Sequence, residues 1–341
     1  MNMPERLHAV TAALLSQVPR PAALVEVHKL AKHYPVKGGQ RLHAVDEVDL
    51  RIGHGECVGL VGESGCGKST LARLLAQLIA PTSGRVVFDG HDLSAMTPRQ
   101  LMRSPLRARI QMVFQDPTET LNPSMRVFDA IADPLRRLLH MRDRAELDRR
   151  VRRAAEMVGL PDELVLRYPH QLSGGQRARV GIARAIAVEP SLLILDEPTS
   201  ALDVSVQAVI LRLLDDLRAR LGMSYLFVSH DLNVVRLLCE RIVVMYLGKV
   251  VEVAPAERLF TAPAHPYTQA LVAAIPAPAR RGEQRVRLEG LPRSPINPDP
   301  MSCRFHGRCP GGTERCVSAM PPLRSLGADH VVACHFAGQS A

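Results

Sequence analysis

Tryptophan is absent from the chain, and phenylalanine and tyrosine bring the aromatic content to only 4%. The core of this 341-residue chain must therefore be aliphatic. Val, Leu, Ile and Ala fill the apolar stretches, as buried parallel strands and their covering helices require. No apolar run approaches the roughly 18–20 residues of a membrane-spanning helix. Lysine is scarce beside arginine, so the formal charge of +9 is read first as composition bias. An anionic partner (nucleic acid, a membrane surface or a phosphate ligand) is the other reading of such a balance. Leu7 to Ser16 faintly resembles a signal-peptide core, but Glu5 sits beside Arg6 and no small-residue cleavage site follows. That stretch is expected to be a leader helix or irregular extension, the chain cytoplasmic, and its thiols reduced.

What is present points to a folded chain. Hydrophobic residues make up 46%, too many for a disordered polymer, and the length suits one large domain plus an appendage. Residues 1–23 read as an arm ending in Pro19 and Pro21. Strand alternation begins at Leu24 and returns in VDEVDLRI and ECVGLVG, separated by Gly53 and Gly55. Lys68 to Ile79 is expected as a helix, with Leu71, Leu74, Leu75, Leu78 and Ile79 as its buried stripe and Pro81 as its stop. RVVFDG reads as a strand with a turn. Residues 121–178 are rich in helix signals and charge and suggest a helical insert. Their densest basic run, Arg136 to Arg153, reads as one solvated helix face opposite Leu147, Val151, Ala154 and Val158. LLILD (192–196) and YLFVS (225–229), each preceded by a helix pattern, restore β-α-β order and imply a parallel sheet. The texture changes after His265, where prolines at 276, 278, 292, 295, 298 and 300 lead into a cysteine cluster. A boundary is expected near 262–285, and no internal repeat is visible.

Gly62-Glu63-Ser64-Gly65-Cys66-Gly67-Lys68-Ser69-Thr70 fits the phosphate-loop pattern, with a strand before it and a helix after it. Glycines let the backbone bend so that successive N–H groups face phosphate oxygens, and the helix N-terminus adds a favourable dipole. Lys68 is expected to reach the β- and γ-phosphates of ATP, and Ser69 to ligate Mg²⁺. Asp196 and Glu197 end a buried strand on the side where α/β sheets place ligands. Asp196 would hold Mg²⁺ and Glu197 would polarise the attacking water as general base. Cys66, between two glycines and near Lys68, is expected to favour its thiolate and to be alkylated unless MgATP protects it.

Leu172-Ser173-Gly174-Gly175-Gln176 resembles the signature of ABC ATPases, and the other motifs fall into order around it. Tyr34 matches the aromatic that stacks on adenine. Gln115 matches the Q-loop, with a role in catalysis and at Mg²⁺. Ser200-Ala201-Leu202-Asp203 matches the D-loop, and His230 the switch histidine. The resemblance covers residues 24 to about 262. It implies a RecA-like core with an antiparallel β subdomain and a helical subdomain at about 121–178. It also implies head-to-tail pairing, in which Ser173, Gly174, Gly175 and Gln176 face the γ-phosphate held by a second ATPase subunit. FQDPTETLNP (114–123), RYPHQLSGGQ (167–176), ALDVSVQA (201–208), MYLGKVVE (245–252) and HPYTQAL (265–271) look like the dipeptide/oligopeptide importer ATPases. That family implies a partner ATPase, in a heterodimer or a homodimer, two membrane permeases and an extracytoplasmic binding protein. It also implies a place on the cytoplasmic face of the inner membrane. The segment after Gln115 would dock a permease helix, so substitutions at 118–121 are expected to uncouple transport from hydrolysis.

Three other functions share some of these motifs. An importer ATPase for nickel or another small solute has the same motif set. A non-transport ABC protein acting on ribosomes or DNA would carry two cassettes or a long coiled coil; one phosphate loop and no heptad run argue against it. A P-loop protein that binds without hydrolysing is disfavoured by Glu197 and His230. Cys303, Cys309, Cys316 and Cys334, in the extension 263–341, are more readily thiolate ligands than disulfides in such a compartment. Their wide spacing lacks the C-x-x-C knuckles that zinc ribbons favour and suits an iron–sulfur cubane. The tail of the resembling subfamily implies a [4Fe–4S] site, with zinc or unligated thiols as the alternatives and His306, His330 and His335 open as further ligands. The Pro- and Gly-rich surroundings suggest that bound metal supplies much of the tail's order.

Overall fold

A computed structural model describes residues 22–115, 120–275, 290–327 and 329–338. The expected arm therefore lies almost wholly outside the described residues, as do positions 118 and 119 and the prolines at 276 and 278.

Two sheets organise the described chain. The first joins β1 (Ala23–Pro35), β2 (Arg41–Gly53), β4 (Ser83–Phe88) and β5 (His91–Asp92) in the order β2-β1-β4-β5, all antiparallel. The second contains β3 (Cys57–Val61), β6 (Ile110–Val113), β7 (Leu192–Asp196), β8 (Ser224–Val228), β9 (Arg241–Tyr246), β10 (Lys249–Pro255), β11 (Arg324–Gly327) and β12 (His330–Val332). Its order is β11-β12-β10-β9-β3-β8-β7-β6. Strands β9-β3-β8-β7-β6 are parallel neighbours, and β10, β12 and β11 continue the sheet antiparallel. Every residue of β3, β7 and β8 is buried. This accounts for their unbroken apolar text: a strand covered on both faces has no polar side to alternate with. Among the described residues no helix is long and apolar enough to cross a membrane.

Two expected elements end differently. The helix begun at Lys68 stops at Leu75, not Ile79. Gln77 takes a left-handed φ of 55°, and the Leu78 amide reaches back to the Arg73 carbonyl at 2.9 Å. This closing turn satisfies the last carbonyls before Pro81 can act, and it leaves Leu78 43% exposed rather than in the stripe. The basic run 136–153 is not one helix face. It is divided between Val127–Leu138 and Arg144–Met157, with a left-handed turn at His140 between them and Asp143 capping the second helix. Leu147, Val151, Ala154 and Val158 are buried as the spacing predicts.

The Pro-rich tail is docked along the rest of the chain. The Ile296 backbone bridges to Leu42, and Asn297 exchanges bonds with Arg41 through its Oδ1 and its amide, at 2.8 and 2.9 Å. Phe305 packs against Tyr246 and Tyr267, with ring centroids at 5.2 and 5.6 Å.

Candidate nucleotide site

The phosphate loop leaves β3 and enters the helix Lys68–Leu75. Gly67 has φ 105°, and a Cβ there would stand 2.0 Å from the Ala44 carbonyl oxygen. No other residue can hold the loop this close to β2. Lys68 is buried and donates to the Gly62 and Glu63 carbonyls at 2.7 and 3.0 Å. Ser69 Oγ donates to Asp196 Oδ1 at 3.0 Å. Burial pushes the Asp196 carboxyl up, opposed by the Ser69 hydroxyl, Arg73 and Lys68. A hydroxyl beside a carboxylate is a hard-oxygen donor set that suits Mg²⁺, so Ser69 and Asp196 fit that ion.

Glu197 follows at the end of β7 with a left-handed φ of 48°, its amide bonded to the Val228 carbonyl. A non-glycine residue in that region stores strain, which recurs at functional sites. Its Oε2 meets His230 Nδ1 at 3.1 Å and accepts from Gln115 Nε2 at 3.3 Å. A cleft of about 570 Å³ is shared by Tyr34, Lys68, Ser69, Thr70, Gln115, Glu197 and His230. Pro295, from the tail, forms part of its wall. Residues expected from five separate motifs thus meet in one place.

Ser173, Gly174, Gly175, Gln176 and Asp203 lie apart from this cleft. Ser173 caps the helix Gly174–Ile186 in a reciprocal box with Gln176. Asp203 caps Val204–Leu221, and its carboxyl is held low by the Ser205 hydroxyl and then the Val206 amide. The two helix starts touch: a Cβ on Gly175 would come within 2.7 Å of Val206 Cγ1. The Arg184 guanidinium, on the signature helix, donates to the Thr120 carbonyl at 2.8 Å. That helix is thereby tied to the segment after Gln115.

The expectation of a thiolate at Cys66 is overturned. The side chain is only 3% exposed, and burial pushes the thiol up against the opposing effect of Lys68. The sulfur packs inward, 2.8 Å from where a Cβ on Gly62 would stand.

Glu63 shows a connection that local sequence patterns do not reveal. Its carboxylate accepts from Arg308 at 2.8 and 3.1 Å, and its amide donates to Tyr267 Oη at 2.7 Å. His265 and Tyr267 belong to the HPY text. His265 caps the helix Pro266–Ala273 with Nδ1 accepting from the Tyr267 amide at 3.0 Å, and burial lowers its pKa to about 4.

Four tail cysteines are brought into one region. The Cys303 amide donates to the Cys316 carbonyl at 2.8 Å. Burial raises the Cys303 and Cys309 thiols, and neighbouring cysteines add to it: Cys316 and Cys309 act on Cys303, and Cys334 and Cys316 on Cys309. Among the described residues only His33, His43 and Asp46 set three ligand atoms within 4.8 Å of one another. Four thiol sulfurs are a soft donor set that suits an iron–sulfur cluster or zinc. The His33–His43–Asp46 group carried no sequence signal. Asp46 already faces Arg304 at 2.5 Å and Lys249 at 3.4 Å, so its charge is balanced without a metal.

Residues 45–200 match the family model described as ABC transporter, and residues 251–316 match the one described as oligopeptide/dipeptide transporter, C-terminal region. The chain belongs to the ATP-binding subunits of the oligopeptide/dipeptide ABC transporter family. It is 47% identical over 328 residues to the "Probable peptide ABC transporter ATP-binding protein y4tS" of Sinorhizobium fredii, covering 94% of this chain and 91% of that one. It is 43% identical to the oligopeptide transport ATP-binding protein AppF of Bacillus subtilis, covering 92% and 97%. Among solved structures it is similar to the ATP-binding cassette MJ0796 in a dimeric post-hydrolysis state with ADP and phosphate. The TM-score is 0.62 at 32% identity, over 68% of this chain and 98% of that one. The RecA-like core with its β and helical subdomains is the ABC ATPase fold, and the subunit is an ABC-type ATPase that uses ATP and Mg²⁺.

Proposed function

We propose that this ABC ATPase powers the import of dipeptides or oligopeptides across the cytoplasmic membrane, working at its cytoplasmic face. The observation that carries the chemistry is the meeting of Gln115 and His230 on one oxygen of Glu197, inside the cleft that also holds Lys68 and Ser69. In this reading Tyr34 stacks on adenine. The amides of Gly62 to Thr70 and the Lys68 ammonium hold the phosphates. Ser69, Asp196 and Gln115 would hold Mg²⁺, which would supply charge neutralisation for the transferred phosphoryl group. Glu197 takes the proton of the attacking water as general base, and Gln115 and His230 orient its carboxylate. Ser173 to Gln176 and Asp203 serve the site of a second ATPase subunit, presenting a helix N-terminus to its γ-phosphate.

The division of the chain follows from these roles. Residues 24–262 form the ATPase with its helical part at about 121–178, residues 1–23 an arm, and residues 263–341 an extension carrying a [4Fe–4S] cluster on Cys303, Cys309, Cys316 and Cys334. Two permeases and a peptide-binding protein complete the importer. Names of relatives that speak of peptide transport support the substrate class. Deleting the gene in its host and measuring uptake of labelled dipeptides and of nickel tests this. Lost dipeptide uptake is the expected result; lost nickel uptake with normal peptide uptake would establish the alternative solute.

A further inference from the structure

Glu63 is the structural centre of the phosphate loop. Its carbonyl accepts from Lys68 and, at 3.3 Å, from the Cys66 amide. Everything that fixes Glu63 from behind comes from beyond residue 245. Tyr267 Oη accepts from its amide, and Arg308 grips both carboxylate oxygens. Arg308 is itself enclosed: its side chain is 7% exposed and donates to Tyr246 Oη at 3.2 Å. Its charge is held by Glu63 first, with the Tyr246 hydroxyl adding to it. Tyr246, Tyr267 and Phe305 form an aromatic cluster around this pair, with Tyr246 and Tyr267 centroids at 4.7 Å. Arg308 is also the residue immediately before Cys309.

We propose that Arg308 is a positioning residue for the nucleotide, lent to the phosphate loop by the cysteine-bearing tail, so that nucleotide affinity reports the condition of the cysteine site. A fork-shaped guanidinium on a carboxylate fixes orientation as well as distance. Glu63 held from both sides keeps the loop amides aimed before phosphate arrives, and preorganisation of that kind is gained as affinity. Rearrangement at Cys309 shifts Arg308, and with it Glu63. The inference rests on the nucleotide site proposed above.

The test is calorimetric titration of the full chain with the magnesium complex of a non-hydrolysable ATP analogue. Arg308→Gln and Glu63→Gln are each expected to weaken binding by roughly tenfold, and the double variant no further, because contacting residues are not additive. Arg308→Lys, which keeps the charge without the fork, recovers part of the loss. Cys309→Ser is expected to weaken binding in the parent and to change nothing in the Arg308→Gln background. Melting temperatures are followed in parallel, so that if Arg308→Gln fails to fold, Glu63→Gln and Cys309→Ser still decide. Unchanged affinity in Glu63→Gln overturns the brace. Unchanged affinity in Cys309→Ser overturns the link to the cysteine site, as do additive losses with Arg308→Gln. Lys68→Ala separates the two levels: a parent chain whose binding survives that substitution refutes the nucleotide site itself.

Discussion

Glu197 and His230 meet at 3.1 Å, carboxylate Oε2 to ring Nδ1, although 33 positions separate them. The strand ends of β7 and β8 make this contact, since the two strands are parallel neighbours and their C-terminal ends open on the same side. Gln115, just past the end of β6, completes the group from the next strand along.

Glu197→Gln is expected to keep nucleotide binding and to lower ATP turnover by roughly 10²–10⁴-fold, the size of a general-base contribution. Steady-state phosphate release from the purified, partnered complex measures it. Near-normal turnover would remove Glu197 from the role of base.

Alkylation of Cys66 is expected to be negligible in the native protein. At 3% exposure, with its thiol pushed up by burial, it offers neither access nor thiolate. Peptide mapping after brief maleimide treatment should find Cys66 unmodified with or without MgATP, and modified only after unfolding. Rapid labelling that MgATP prevents would show that the loop opens.

Stability should fall on mild acidification through His265. Its pKa in the folded chain is about 4 because the ring is buried, and the unfolded value is about 6.5. Between these values the unfolded chain binds a proton that the folded chain does not, so the stabilising contribution is full above pH 6.5 and is lost as pH falls toward 4. The loss from this group reaches roughly 3 kcal/mol. His265→Asn keeps a capping acceptor without a titrating ring. Denaturant titrations of the two proteins across this range should differ in slope; parallel curves would count against burial of a neutral imidazole.

Anaerobically purified protein is expected to contain iron and acid-labile sulfide and to absorb broadly near 400 nm. Four Cys→Ser changes should abolish all three signals. Stoichiometric zinc without labile sulfide would assign the cysteines to that ion instead.

The nucleotide site was legible because its chemistry is written locally. A phosphate loop must follow a strand and open a helix, and LLILDE must end a buried strand, so β3, β7, Lys68, Asp196 and Glu197 could be placed from short stretches of text. Contacts between distant segments leave no such trace. Arg308 and Glu63 are two charged residues among many, 245 positions apart, and no periodicity links them. The tail was equally opaque: β11 and β12 are short, and they extend a sheet whose other strands lie far upstream. Cys66 misled for a related reason, since the pattern names the loop but not which way a side chain at its variable position turns. The end of the helix at Leu75 was hidden by Gln77, a residue with no strong preference for the left-handed turn it makes.

The Arg308–Glu63 pair also sets a timetable for synthesis. At about 5–20 residues per second, a ribosome needs roughly 12–50 s to travel the 245 positions from Glu63 to its partner. Arg41 waits slightly longer for Asn297, 256 positions away. Through that interval the phosphate loop emerges, and its helix can form, with its brace not yet translated. A nascent subunit therefore completes the bracing of its nucleotide pocket only after more than half of residues 263–341 has been made.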